Sequence, residues 1–193
     1  MPVGALRGCW SVTVAGVAVI VVDYDPRWPG IFAAQRDAIV AAAGDLIVAI
    51  EHAGSTAVPG LAAKPVIDIL AAVKSVPDDG AALIDSLKPL GYKEFDAGMT
   101  GRLMCTRDEN GVRAQHLHIL PLERWDLLHE RMLRDWLLTH PADRDRYGAL
   151  KKELAARPGM GSEYTWLKTP LVQELVDAAR AARGLPSVPV WEG

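Results

Sequence analysis

The chain reads as a series of short apolar runs, each halted by a polar or turn-forming cluster. The valine-rich run 12–22 has the β-branched content of a strand and stops at Asp23-Tyr24-Asp25-Pro26, where proline restricts its neighbour. A helix is expected over 29–43, with Ile31, Phe32, Ile39 and Val40 in its apolar stripe and Gly44 placed to end it. Residues 46–50 then predict a strand that delivers Glu51 and His52 at its end, and a polar loop, 54–64, leads to a second strand over 66–70. Pro77-Asp78-Asp79 opens a second helix, expected to bury Ala82, Leu83 and Leu87 and to stop at Gly91.

Further strands are expected at 92–95, 102–106 and 115–120. The turn Asp108-Glu109-Asn110-Gly111 is too short for a parallel crossover, so the strands it joins are expected to be antiparallel. After Pro121 the period becomes helical: Trp125, Leu128, Met132 and Trp136 form one stripe that ends at His140-Pro141. Helices over 142–156 and 165–183 follow. The pattern predicts an α/β (α+β) domain, a mixed sheet flanked by helices with a helical C-terminal portion. Its expected limits are a leader over 1–16, one domain over 17–183 and an exposed, flexible tail over 184–193 carrying Pro186 and Pro189.

Composition narrows the function classes. Of 193 residues half are hydrophobic and 23% charged, enough apolar material for a core and enough charge for a polar surface. The formal net charge of -3 supplies no long-range attraction for a polyanion, so there is no strong nucleic-acid signal; the oligomeric state is not legible. Cys9 and Cys105 stand far apart and outside any CxxC pair, which reads as two reduced thiols. The run 12–22 is shorter than the ~20 residues a membrane helix needs, so no membrane association and a cytoplasmic location are expected.

Three constellations carry chemistry. Gly54-Ser55-Thr56 follows a strand end, where successive amides beside a hydroxyl can cradle a phosphate; equally, the glycine can shape a tight turn while Ser55 or Thr56 caps a short helix. Asp68 interrupts an apolar strand, and a carboxylate there must be paired, hydrated or coordinated, with Lys64 or an arginine the simplest structural partner. His116 and His118 alternate with Leu117 and so share one face; with Asp68, and with His52 as a further donor, they are competent metal ligands, while a hydrogen-bonded network needs no metal. Tyr147/Lys151 and Tyr164/Lys168 each share a helix face at a spacing of four. Most of the basic residues near Lys151 read as solvated salt bridges, and Lys168, preceded by Tyr164-Thr165-Trp166-Leu167, is the exception expected to face a ligand.

Together Val22-Asp23-Tyr24-Asp25-Pro26-Arg27-Trp28-Pro29, Ile50-Glu51-His52-Ala53-Gly54-Ser55-Thr56-Ala57-Val58-Pro59-Gly60-Leu61, Lys64-Pro65-Val66-Ile67-Asp68-Ile69, His116-Leu117-His118 and the segment Tyr164-Thr165-Trp166-Leu167-Lys168 resemble the GrpB family, related to the nucleotidyltransferase superfamily. The resemblance spans about 19–180. It implies a mixed sheet with Gly54-Ser55 at a nucleotide site and Asp68 in one acidic role. Superfamily members pair two acidic residues two apart; here Val66 and Leu70 flank Asp68, so the pair that holds two magnesium ions is missing.

The expected function is a nucleotidyltransferase-like enzyme acting on a nucleotide or another small phosphorylated ligand, with Asp68, His116 and His118 as catalytic groups. Glu51, His52, Gly54, Ser55, Thr56, Lys64, Arg102, Tyr164 and Lys168 are the candidate substrate-binding residues. A divalent metal, Mg²⁺ or Mn²⁺ ahead of Zn²⁺, would sit on Asp68, His116, His118 and His52. Two alternatives stand beside this: a binding or partner-regulating module without catalysis, and a metal-assisted hydrolase using the same four ligands.

Overall fold

A computed structural model describes residues 19–161 and 163–190. Helix α1 (Trp28–Ala43) comes first, then strands β1 (Ala49–Ala53) and β2 (Ile67–Val73), helix α2 (Ala81–Leu87), and strands β3 (Lys93–Glu94), β4 (Leu103–Glu109) and β5 (Val112–Pro121). Helices α3 (His129–Thr139), α4 (Pro141–Ala155) and α5 (Glu163–Ala181) complete the order. The strands form one mixed sheet in the order β1-β2-β5-β4-β3. β2 and β5 pair in parallel; β1/β2, β4/β5 and β3/β4 are antiparallel. The β4–β5 turn is made by Asn110 and Gly111, both at positive φ (51° and 77°), the conformation that matches the twist of a two-residue hairpin.

β2 is an interior strand covered on both faces, which accounts for its apolar run continuing to Val73, beyond the expected end at 70. On one face Ile67, Ile69, Leu117 and Ile119 pack with Trp28, Ile39, Leu83 and Leu87 of α1 and α2. On the other, Leu70, Ala72 and Leu120 meet Trp125 and Leu128. A third cluster joins Val58 and Leu61 to Leu137, Tyr147, Leu171 and Leu175, fastening α3–α5 over the loop between β1 and β2.

Several sequence expectations shift. The strand expected at 46–50 starts three residues later, because Gly44–Leu46 forms a 3₁₀ turn after α1 and pairing with β2 begins only at Val48-Ala49. Glu51 and His52 therefore lie inside β1 rather than at its end. α1 buries Trp28, Ile39 and Ala43, with Phe32 packed against the core, while Ile31 and Val40 are exposed. Each residue advances about 100° around a helix, so Val40 falls off the face that Ile39 occupies. Val76–Gly80 forms one π turn before α2, which buries Leu83, Ile84 and Leu87 and leaves Ala82 exposed.

The proposed leader and most of the run 12–22 lie outside the described residues; Val22 makes an antiparallel bridge with Ala63. Of the expected tail, residues to Val190 lie against α5: Arg180 donates to the Pro186 carbonyl, and Gln173 bonds both Val188 and Val190.

Candidate functional site

Register decides which side chains meet. Asp68 pairs with Ala53 of β1 and His116 of β5, while Leu70 pairs with Glu51 and His118. Because partners across a sheet share a face, Glu51, Asp68, His116 and His118 all lie on the face covered by the C-terminal helices. His52 pairs with Ile69 and belongs to the opposite face. There it stacks on Phe32 at 4.7 Å and bonds Thr56 Oγ1 at 3.0 Å. Thr56 donates its hydroxyl proton to the Val66 carbonyl, so the His52 Nε2–H is the donor to Thr56. Burial, the largest influence, brings His52 to about 4. The residue buttresses the loop that carries Ser55.

The Asp68 carboxylate is held at both oxygens. His116 Nδ1 lies 3.0 Å from Oδ1. Oδ2 packs against Gly54 so closely that a Cβ on that residue would sit 2.1 Å from it. Gly54 adopts φ +68° and ψ -170°, space that glycine alone enters readily, and this is the physical reason a glycine stands there. Burial pushes the carboxyl up, but the His116 hydrogen bond and the surrounding imidazoles outweigh it and hold Asp68 below its ordinary value. The rings of His116 and His118 stand edge to face at 6.4 Å. His118 is 1% exposed, and burial lowers it to about 4. Behind it lies the Arg102–Glu130 ion pair, 2.6 Å long. Arg102 lines a separate cleft with Val76, Ile84 and Leu103 and is thus placed behind the histidines.

Cations converge in front of Asp68. Lys151 of α4 is 2% exposed and donates to Ser55 Oγ at 2.7 Å, with its ammonium 4.4 Å from the Tyr147 ring centre. Lys64 and Lys168 each place Nζ 4.5 Å from the centre of the Tyr164 ring. Burial lowers all three lysines, Lys151 strongly and Lys168 to about 8; the charge of Lys168 lowers Lys151 further, that of Lys64 lowers Lys168 further, and Asp68 pulls each of the three back up. Burial also raises Tyr147 and Tyr164, keeping both phenols protonated.

Sequence reasoning read Lys151 with the solvated charges around it and gave Tyr147 no role beyond sharing its helix face. The signal that marks them is the repeated Tyr-x-x-x-Lys spacing, used once on α4 and again on α5. Glu51 is otherwise engaged: Arg131 donates to both its oxygens at 3.0 Å, and Arg134 reaches it at 2.7 Å while bonding the His52 carbonyl. It ties β1 to α3.

The donor set does not fit the expected metal. His52 faces away from Asp68, Glu51 is held by two arginines, and no group of three His, Cys, Asp or Glu side chains suited to a metal occurs among the described residues. Among those residues no helix is long and apolar enough to cross a membrane.

The family model described as GrpB protein matches residues 18–178. The chain belongs to the GrpB family. It is 37% identical over 173 residues to a UPF0157 protein of Pseudomonas aeruginosa, covering 87% of this chain and 70% of that one. It is 30% identical to the glutamate-rich protein GrpB of Alkalihalophilus pseudofirmus, covering 82% of this chain and 94% of the relative. The crystal structure of conserved protein GrpB from Enterococcus faecalis superposes with a TM-score of 0.71 at 28% identity, over 82% of this chain and 98% of that one. A structure of the Cid1 poly(U) polymerase with MgGTP bound matches with a TM-score of 0.50 at 14% identity, over 70% of this chain and 44% of the polymerase. The fold of this GrpB-family chain is nucleotidyltransferase-like.

Proposed function

We propose that this GrpB-family chain is a nucleotidyltransferase-like enzyme whose pocket takes a nucleotide or another small phosphorylated substrate. One observation carries the reading: Lys64, Lys151, Lys168 and Ser55 surround the strand-end position in front of the Asp68–His116 pair. Three ammonium groups facing a single carboxylate make a site for a polyanion, and a partly desolvated setting strengthens each contact. Phosphate oxygens would accept hydrogen bonds from the three lysines and the Ser55 hydroxyl.

The chemistry follows from the dyad. An ionised Asp68 accepts a hydrogen bond from His116 Nδ1–H, which fixes the tautomer and leaves Nε2 as the acceptor nitrogen. Nε2 would take the proton of an acceptor hydroxyl as its oxygen bonds to the α-phosphorus. The bond from that phosphorus to the bridging oxygen breaks, and pyrophosphate leaves with its charge opposed by the lysines. Asp68 orients the base and stabilises the imidazolium.

A second reading, a binding module without transfer, is favoured by the single carboxylate where the superfamily pattern has two. Calorimetric titration with a panel of nucleoside triphosphates, followed by ³¹P NMR with diverse acceptors, separates the two. Pyrophosphate release that is lost in His116→Gln supports transfer. Binding without release supports the module, and no binding of any phosphorylated ligand removes both.

A further inference from the structure

We infer that this pocket replaces the expected divalent metal with lysines, and binds polyphosphate as the free anion rather than as its magnesium complex. The inference rests on the phosphate-binding reading above and adds the form of ligand the site selects.

Its first support is the carboxylate inventory on the working face. Asp68 has Oδ1 engaged by His116 and Oδ2 pressed against Gly54. A metal bridging this carboxylate to a phosphate would compete with the His116 hydrogen bond on one side and meet the Gly54 backbone on the other. The position two residues along β2 is Leu70, and its cross-strand partner Glu51 is neutralised by Arg131 and Arg134. No second carboxylate therefore stands ready to hold a cation at Asp68 among the described residues.

The second support is independent. Positive charge is already built into the pocket from three separate elements: Lys64 from the loop before β2, Lys151 from α4 and Lys168 from α5. Two aromatic rings hold these ammonium groups, Tyr147 under Lys151 and Tyr164 between Lys64 and Lys168. Lys151 is almost fully buried and bonded to Ser55. Burying a cation is costly without a compensating anion, so a buried lysine beside two others is a site prepared for one. A free polyphosphate offers its full negative charge to this cluster. A magnesium-chelated one has part of that charge cancelled, and it brings a hydrated cation up against three ammonium groups.

Calorimetric titration of the intact protein with inorganic tripolyphosphate, in EDTA and then in excess Mg²⁺, tests this. The expected result is binding in EDTA, and weakening of at least about tenfold when Mg²⁺ chelates the ligand. Lys168→Met, at a half-buried position, should lower the affinity in EDTA by about tenfold or more, while Lys168→Arg restores most of it; Lys151→Met should do likewise if its melting curve shows a folded protein. Asp68→Asn should still bind tripolyphosphate in EDTA, since no metal held by Asp68 is needed for it. Tripolyphosphate that binds only with Mg²⁺, or magnesium-supported binding abolished by Asp68→Asn, would overturn the inference and leave phosphate binding intact. Absence of binding under both conditions would remove phosphate recognition itself, and this inference with it.

Discussion

Replacing Gly54 with alanine strikes the tightest contact of the pocket. At φ +68° and ψ -170° the backbone lies where a side chain costs about 1–3 kcal/mol. The new methyl would also sit 2.1 Å from Asp68 Oδ2 and 2.9 Å from its carboxyl carbon, so the carboxylate must move. Moving it breaks the 3.0 Å bond from His116, worth about 1.5–3 kcal/mol for a bond to a charged group. Gly54→Ala should therefore destabilise the fold by roughly 2.5–6 kcal/mol, the sum of those two ranges. Gly44→Ala isolates the backbone component, because Gly44 also has positive φ (57°) but open space where its Cβ would go. Urea unfolding of both variants, repeated in an Asp68→Ala background, forms a double-mutant cycle. In that background the cost of Gly54→Ala should fall by about 2 kcal/mol towards that of Gly44→Ala. Equal costs in both backgrounds would refute the claim that the glycine is there to admit the carboxylate.

Lys168, lowered to about 8 by burial and then by Lys64, gives two opposite pH trends. Between about 8 and its ordinary 10.5 the unfolded chain binds a proton that the folded chain has lost, so this group's contribution to stability rises with pH. Tripolyphosphate affinity should instead fall as pH rises through about 8, and an affinity that stays flat well above that point would show that Lys168 does not contact phosphate. Asp68→Asn should move the imidazole NMR chemical shifts of His116 more than those of His129 or His140; His52 and His118, lowered by burial to about 4, should remain uncharged through neutral pH in the wild type. Glu51→Gln leaves Arg131 and Arg134 facing a neutral amide at 17% and 14% exposure, and should cost about 2 kcal/mol in urea unfolding, below the range for fully buried pairs because Glu51 is itself 30% exposed. A loss under about 0.5 kcal/mol would show that the link from β1 to α3 is dispensable.

Local pattern determined a good deal of this protein. Helical and strand periods are backbone properties, so α1, α3, α4, α5 and the β4–β5 hairpin with its Asn110-Gly111 turn were legible from residue spacing. Asp68 stood out because a charge inside an apolar strand needs a partner, and His116 with His118 because alternation puts both on one face. What spacing cannot supply is register between strands distant in sequence. Shifting β1 by three residues changed Glu51 and His52 from neighbours at a strand end into residues on opposite faces, one bound to arginines of α3 and the other stacked on α1. Lys151 shows the same limit. Along the chain it sits among Arg144, Arg146, Lys152 and Glu153 and looks like part of a solvated helix surface. Only the packing of α4 over the β1–β2 loop, through Tyr147, Leu61 and Val58, decides that this one lysine turns inward to Ser55 while its neighbour Lys152 stays exposed. Burial and charge convergence are properties of surfaces brought together from far along the chain, so the lysine cluster belongs to the tertiary structure, whereas the elements that carry it were written locally.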